Sequence, residues 1–365
     1  LCFSDTWSSY KNLCCGIKVI VMLSVKYIPM LYYDAIIIRF TGDDGSVHNI
    51  FVDGGNINSR KFCYTDRLKK ELELLFGMGE SIDLWVITHI DNDHIGGLNN
   101  FINDTEFFET HQERLKEVWM NYGGKGDYEV QRTGTIGYHG GKELRNLLKE
   151  KHVVVKQDIL AGHISTLSDA TITVVAPNEN AMKRYIKWWN NIEFKDVAQT
   201  VDGLIKGGEW DYDKKFKDFN LTLYEEDYEV KNNSSIAFVL SYHGYNLLFS
   251  ADSCSSLLSD GLKNTNMLKD GDFKFDLMHI PHHGSCRNSS FVFLKDIICP
   301  KYVISGNGAN RYHLPDKETI ARLNAANPTG CELHFTQMNF KLKEIFANDD
   351  CGNLKIIDDA NFTFE

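Results

Sequence analysis

Proline is scarce in this chain, six in 365 residues, and no long polar tract accompanies it, which leaves little room for a disordered linker. No window supplies the roughly 20 consecutive apolar residues that a bilayer crossing requires. The nearest approach, residues 17–23, is short and interrupted by Lys18. A soluble, cytoplasmic protein without membrane contact is the expectation. Nine cysteines are present, yet none forms a C-x-x-C pair and only Cys14 and Cys15 are adjacent. That pattern argues against a zinc knuckle or a regular disulfide framework and for reduced thiols. A basic excess is also missing. The formal net charge is −11 and no basic run is visible, which argues against an extended groove that grips duplex DNA through its phosphates. A compact nuclease site survives that exclusion, because metal ions can carry the positive charge there. No internal repeat of fixed period is found.

Hydrophobic content of 43% and charged content of 24% are those of an ordinary globular protein large enough to bury a sizeable core. Strand-like and helix-like stretches alternate from residue 25 onward. AIIIRF (35–40) and NIFV (49–52) flank Thr41-Gly42-Asp43-Asp44-Gly45, a hairpin signal, and the second run ends in Asp53-Gly54-Gly55. Residues 60–76 space their apolar side chains as a helix face. Residues 82–88 (IDLWVIT) form a nearly continuous apolar run, as expected of a strand buried on both faces, and deliver His89 at its end. Further strands are expected at 170–176, 236–242, 245–249, 273–280, 302–305, 332–336 and 354–357, and a helix at 142–151. Residues 181–230, rich in aromatics and acids, read as an inserted or capping segment. Trp188 and Trp189 read as packing within it, and Glu225-Glu226-Asp227 as a solvated face. Strands interspersed with helices favour a layered α/β architecture.

The strongest chemical signal is Thr88-His89-Ile90-Asp91-Asn92-Asp93-His94-Ile95-Gly96-Gly97. It places four potential metal ligands within six residues, immediately after a buried strand. Imidazole nitrogen and carboxylate oxygen are donors that zinc, iron and manganese accept, and a loop at a strand end lets them converge. The segment resembles the H-x-H-x-D-H loop of the metallo-beta-lactamase superfamily, whose fold is a four-layer αββα sandwich binding one or two metals at one edge. Three other stretches resemble that family in the right order: Asp34 with AIIIRF and Asp53-Gly54-Gly55, the hairpin ending LLFSAD with Asp252 in the place of the bridging aspartate, and FDLMHIPHHGS. The wording of Asn232-Asn233-Ser234-Ser235-Ile236-Ala237-Phe238-Val239-Leu240, of Pro281-His282-His283-Gly284-Ser285 and of Asn310-Arg311-Tyr312-His313-Leu314-Pro315 is similar to the hydrolase domain attached to bacterial competence (DNA-uptake) channel proteins and to its free-standing relatives.

The resemblance implies a hydrolase domain over 22–357, preceded by an extension over 1–21 that reads as neither a core segment nor a signal peptide. It implies metal ligands among His89, Asp91, Asp93, His94, Asp252, His282 and His283. The family's second loop histidine is Asp91 here, and its third histidine falls where Asn232 to Ser235 stand. The first metal position would then have His89, Asp91 and Asp252. The second would have Asp93, His94, Asp252 and one histidine of the 282, 283 pair, with His282 favoured. One or two divalent ions are implied, zinc or manganese with magnesium as a further choice, and oxygen donors should make the first position the harder one. Such ions activate water and polarise the scissile bond. Asp93 would orient that water, and His313 is a candidate proton donor. Asp34, Asp53, Asn232 and Ser235 would support the ligand loops. His163, His279, Cys254 and Cys286 read as packing or surface residues. The leading function is a phosphodiesterase or nuclease, with nucleic acid or another phosphodiester as substrate. Hydrolysis of a small-molecule ester, amide or lactam and a metal-poor binding scaffold are the alternatives. The relatives suggest a bacterial defence or conflict system as the setting.

Overall fold

Two large sheets arise from the apolar runs just described, and their strand order decides where the ligand loops fall. The computed structural model describes residues 22–31, 33–124, 137–195, 210–269, 271–308, 313–347, 349 and 351–365. The expected extension over 1–21 and residues 196–209 of the expected insertion lie outside this set. The first sheet has seven strands, in the spatial order Asn361–Phe364, Leu23–Tyr27, Ala35–Thr41, Val47–Asp53, Leu84–Ile87, Val118–Met120 and Val155–Lys156. The second has eight, in the order Leu354–Ile357, Cys331–Phe335, Lys301–Ile304, Leu277–His279, Tyr245–Phe249, Ala237–Tyr242, Ala170–Ala176 and Ile164–Leu167.

Side chains alternate across each strand, so one face of each sheet meets the other sheet and the opposite face meets helices. Ile36, Ile38 and Val52 of the first sheet share a buried cluster with Phe238, Leu240 and Leu247 of the second. Ile37, Phe51 and Trp85 point the other way, onto Leu68, Leu72 and Phe101 of the first helical layer. Val239, Leu248 and Met278 do the same on the far side, against Leu258, Ile320 and Leu323. The result is helix, sheet, sheet, helix: the expected four-layer αββα sandwich. A strand between two such layers is dry on both faces, which is why 82–88 reads as a continuous apolar run rather than an alternating one.

Three boundaries differ from the sequence reading. The domain does not stop at residue 357, because Asn361–Phe364 pairs with Leu23–Tyr27 and closes the edge of the first sheet. Residues 273–280 do not form one strand. Asp272–Lys274 joins a small three-stranded sheet, and only Leu277–His279 enters the main one. The helix expected over 60–76 begins as a π-helix, Arg60–Leu68, before the α-helix Lys69–Gly77. The first residues of the expected insertion, 181–195, belong to a helix, Glu179–Lys195, of the first outer layer, with Trp189 buried in its core. No helix among the described residues is long and apolar enough to cross a membrane.

Candidate metal centre

Strand direction gathers the ligand loops. Val47–Asp53 and Leu84–Ile87 run parallel in the first sheet, so Asp53 and the Thr88-His89 step leave at the same edge. Asp34 joins them because the antiparallel register sets Ala35 opposite Asp53. In the second sheet Tyr245–Phe249, Leu277–His279 and Lys301–Ile304 are parallel neighbours. Asp252, His282, His283 and Ser305 follow their ends. The two C-terminal edges face each other, the usual place for a ligand site on open sheets.

Glycine makes the close approach between the two first-sheet loops. A Cβ added to Gly97 would lie 2.6 Å from the Cα of Gly54, and one added to Gly54 would lie 2.5 Å from the Cα of Gly97. Backbone therefore packs on backbone, and Asp53 Oδ2 comes within 2.8 Å of His94 Nδ1. Gly97→Ala should push these loops apart, costing about 1–3 kcal/mol as overpacked core positions do, and should weaken metal uptake with it. Thermal melts and metal titration check this; unchanged values in both would show that the contact does not position His94.

Asp252 lies at the centre of the cluster. Its Oδ2 is 3.6 Å from His89 Nε2, 3.7 Å from His94 Nε2 and 3.6 Å from His282 Nε2. Asp93 places Oδ2 3.6 Å from His283 Nε2 and Oδ1 4.0 Å from His94 Nε2. Asp91 Oδ2 is 3.9 Å from His89 Nε2, while its Oδ1 is held 2.9 Å from Lys231 Nζ. Two donors that share a tetrahedral cation at ordinary bond lengths lie about 3.4 Å apart, so these separations suit shared ions. Nε2 of His89, His94 and His283 and Oδ1 of Asp252 are buried without any hydrogen-bond partner. Buried polar atoms are normally satisfied, and orphaned ones are costly. Four converging together fit a cation.

The far nitrogen of each imidazole is held in turn. His94 Nδ1 bonds Asp53, whose carboxylate also accepts from the Thr88 amide at 2.9 Å and hydroxyl at 2.7 Å. His89 Nδ1 is 3.1 Å from Thr88 Oγ1, His282 Nδ1 is 2.9 Å from Asn288 Oδ1, and His283 Nδ1 donates to the Ser305 carbonyl at 3.0 Å. Such partners fix the tautomer and aim Nε2 at a metal. Without a cation, protons answer the crowded carboxylates. Burial would lower His282, but Asp252 and Asp227 outweigh it and lift its pKa to about 10. His94 and His283 are raised in the same way, against burial, by neighbouring aspartates. His89 goes the other way, held well below its ordinary value by burial and by the charge of His94. Burial would raise Asp93, yet His94 and His283 hold it well below the carboxylate range.

The seven expected ligands thus come together, and the structure adds contacts that the sequence reading did not foresee. Asp34 bonds Ser305 Oγ, and its other oxygen, buried and without a hydrogen-bond partner, lies 3.9 Å from His94 Nδ1. One donor atom each from Asp34, His94, Asp252 and His283 falls within 4.8 Å of the others, so Asp34 borders the cluster directly. His279 is packed, as expected, but also polar: its Nε2 is 3.1 Å from Ser305 Oγ and 3.4 Å from Asp34 Oδ1. Asp227 corrects the solvated-face reading of 225–227. The Glu225 side chain is 83% exposed, whereas that of Asp227 is 9% exposed and sits 3.6 Å from His282 Nδ1. Asn232 donates to Asp227 at 2.8 Å, so it supports the cluster at one remove, while the buried Ser235 hydroxyl has no hydrogen-bond partner. His313 sets its ring edge-on to Trp210 at 5.1 Å. His163 packs edge-on to Trp119, away from these residues.

The family model of the metallo-beta-lactamase superfamily matches residues 62–289, a span that contains every residue from His89 to His283 named above. No curated protein sequence matches the chain. Similar solved structures include the metallo-beta-lactamase fold protein YhfI from Bacillus subtilis, 12% identical with a TM-score of 0.40 over 94% of this chain and 99% of that one. A diphosphatase from the PhnP family is 11% identical, TM-score 0.40, over 94% and 98% of the two chains. A long form RNase Z from yeast is 9% identical, TM-score 0.37, over 94% of this chain and 47% of that one.

Proposed function

This chain belongs to the metallo-beta-lactamase superfamily, and from that membership we propose that it is a metal-dependent phosphodiesterase acting on nucleic acid. The observation that carries the reading is the donor set. Asp91, Asp93 and Asp252 stand among the histidines, with Asp34 at the border, and such oxygen-rich sites suit the hard cations that serve phosphate chemistry. Ligands to the ion or ions would be drawn from His89, Asp91, Asp93, His94, Asp252, His282 and His283. A divalent cation held there supplies Lewis-acid polarisation and an activated water.

The chain's own residues divide the remaining work. The Asp93 side chain is 29% exposed, against 3% for Asp252 and 0% for His89, so it meets incoming water and substrate. It would orient the attacking water and accept its proton on a carboxylate oxygen. Asp252, His89, His94 and His283, all buried, hold the frame with His282. Lys231 adds a fixed positive charge beside Asp91 in an otherwise acidic neighbourhood. The net charge of −11 favours short or single-stranded substrates over a wrapped duplex. The buried, unpartnered Nε2 atoms weigh against a metal-poor scaffold.

The test is reconstitution of metal-stripped protein with manganese, magnesium or zinc, assayed on single-stranded DNA, duplex DNA, RNA and a generic phosphodiester. Metal-dependent cleavage is expected, reduced on the order of 10²–10⁴-fold in Asp93→Ala as for loss of a general base. Full metal uptake with no phosphodiester cleavage, together with turnover of an ester, amide or lactam, would overturn the nuclease reading in favour of small-molecule hydrolysis.

A further inference from the structure

The cluster contains four imidazoles, and two of them are consecutive residues. His282 and His283 both adopt left-handed backbone conformations, with φ of 49° and 53°. Non-glycine residues take that region reluctantly, at roughly 1–2 kcal/mol each. Two in succession mark a turn that the surroundings enforce, and the usual reason is function. Its effect is to send neighbouring side chains to different partners. His282 Nε2 meets Asp252 Oδ2 at 3.6 Å, and His283 Nε2 meets Asp93 Oδ2 at 3.6 Å and joins the group that includes His94.

Both rings are also braced as ligands are. The Ser305 carbonyl accepts a hydrogen bond from Nδ1 of His283. Asn288 Oδ1 faces Nδ1 of His282, and Asp227 Oδ2 stands 3.6 Å from the same atom. Asn288 Nδ2 in turn donates to the Asp252 carbonyl at 2.9 Å and to Asp227 Oδ2 at 3.3 Å, tying the two ligand loops and Asp227 together. Meanwhile Asp91 spends one oxygen on Lys231, which leaves the other for a cation near His89.

We propose that the histidine pair is divided between two cation positions: His282 joins His89 and Asp252 at the first, and His283 joins His94, Asp93 and Asp252 at the second. Asp227 and Asn288 are positioning residues that aim His282. The first position thereby regains an imidazole, so it is less oxygen-rich than the loop over 88–97 alone would make it. This inference rests on the metal-dependent reading but not on the identity of the substrate.

Cobalt(II) titration of metal-stripped protein tests it, read by visible absorption and by elemental analysis, so the outcome is independent of any hydrolysis assay. Wild type is expected to bind two equivalents. His282→Ala and His283→Ala should each retain one, with different spectra, because each keeps the other position. Asp227→Asn, nearly isosteric, should weaken only the first equivalent, by about 10–100-fold as loss of an outer partner does. Two equivalents at wild-type affinity in His282→Ala, the same spectrum in both histidine variants, or unaltered affinity in a folded Asp227→Asn protein would overturn the division.

Discussion

Asp252→Ala is expected to strip the protein of metal and to abolish its hydrolytic activity. One carboxylate oxygen lies within 3.7 Å of three imidazole Nε2 atoms contributed by two different loops, so its loss removes the donor common to all of them. The fall in affinity should exceed the roughly 100-fold upper figure for loss of an outer-shell partner. Asp252→Asn separates charge from shape: it keeps the side-chain volume but not the negative charge that offsets a cation between His89 and His94. Elemental analysis after dialysis, with circular dichroism to confirm folding, provides the measurement. An Asp252→Ala protein that folds and keeps its full metal complement would show that the cluster is not organised around this residue.

The largest expected effect on stability lies deeper. Glu193 has a fully buried side chain and accepts from Arg145 Nη2 at 3.1 Å and from Trp189 Nε1 at 2.9 Å. Arg145, itself nearly buried, also donates to the Gly123 carbonyl at 3.0 Å. Truncating Glu193 to alanine leaves a guanidinium without its counter-charge in a dry layer, a change that typically costs about 3–5 kcal/mol. A loss of that size in unfolding free energy, read from a lowered denaturant midpoint at unchanged slope, is the expected result, and a loss below about 1 kcal/mol would contradict it. The consequence reaches the site. Arg145 belongs to the helix Tyr138–Glu150, and a Cβ at Gly137, just before that helix, would lie 2.8 Å from Asp91 Oδ1. Loosening this layer should therefore also disturb Asp91.

Much of the centre was legible because its ligands are dense in sequence. His89, Asp91, Asp93 and His94 follow a dry strand within one short loop, and a strand end with that composition has few other uses. Asp34 and Asp53 could be assigned supporting roles from their place in the hairpin that resembles the family's opening one. The supports of the second histidine loop were not legible. Asp227 read as one of three surface acids, and only burial distinguishes it from Glu225. Ser305 and Asp34 are 271 residues apart, and nothing local to either predicts their hydrogen bond. His279 lies on an apolar strand whose pattern shows packing without showing what its ring nitrogen touches.

Composition and period by themselves pointed to a layered α/β architecture. Short apolar runs without alternation fit strands covered on both sides, and the four-layer αββα order was what the family resemblance implied. The loop over 88–97 likewise pointed to a metal site, because donor atoms at a strand end have short chain segments with which to converge. How the donors pair was decided by tertiary structure alone. Whether His282 and His283 share one cation or serve two depends on strand register, on two left-handed residues and on acceptors from remote loops. Those are through-space relations between distant segments, and only the packing of one sheet against the other brings them within the few ångströms at which coordination and hydrogen bonding act.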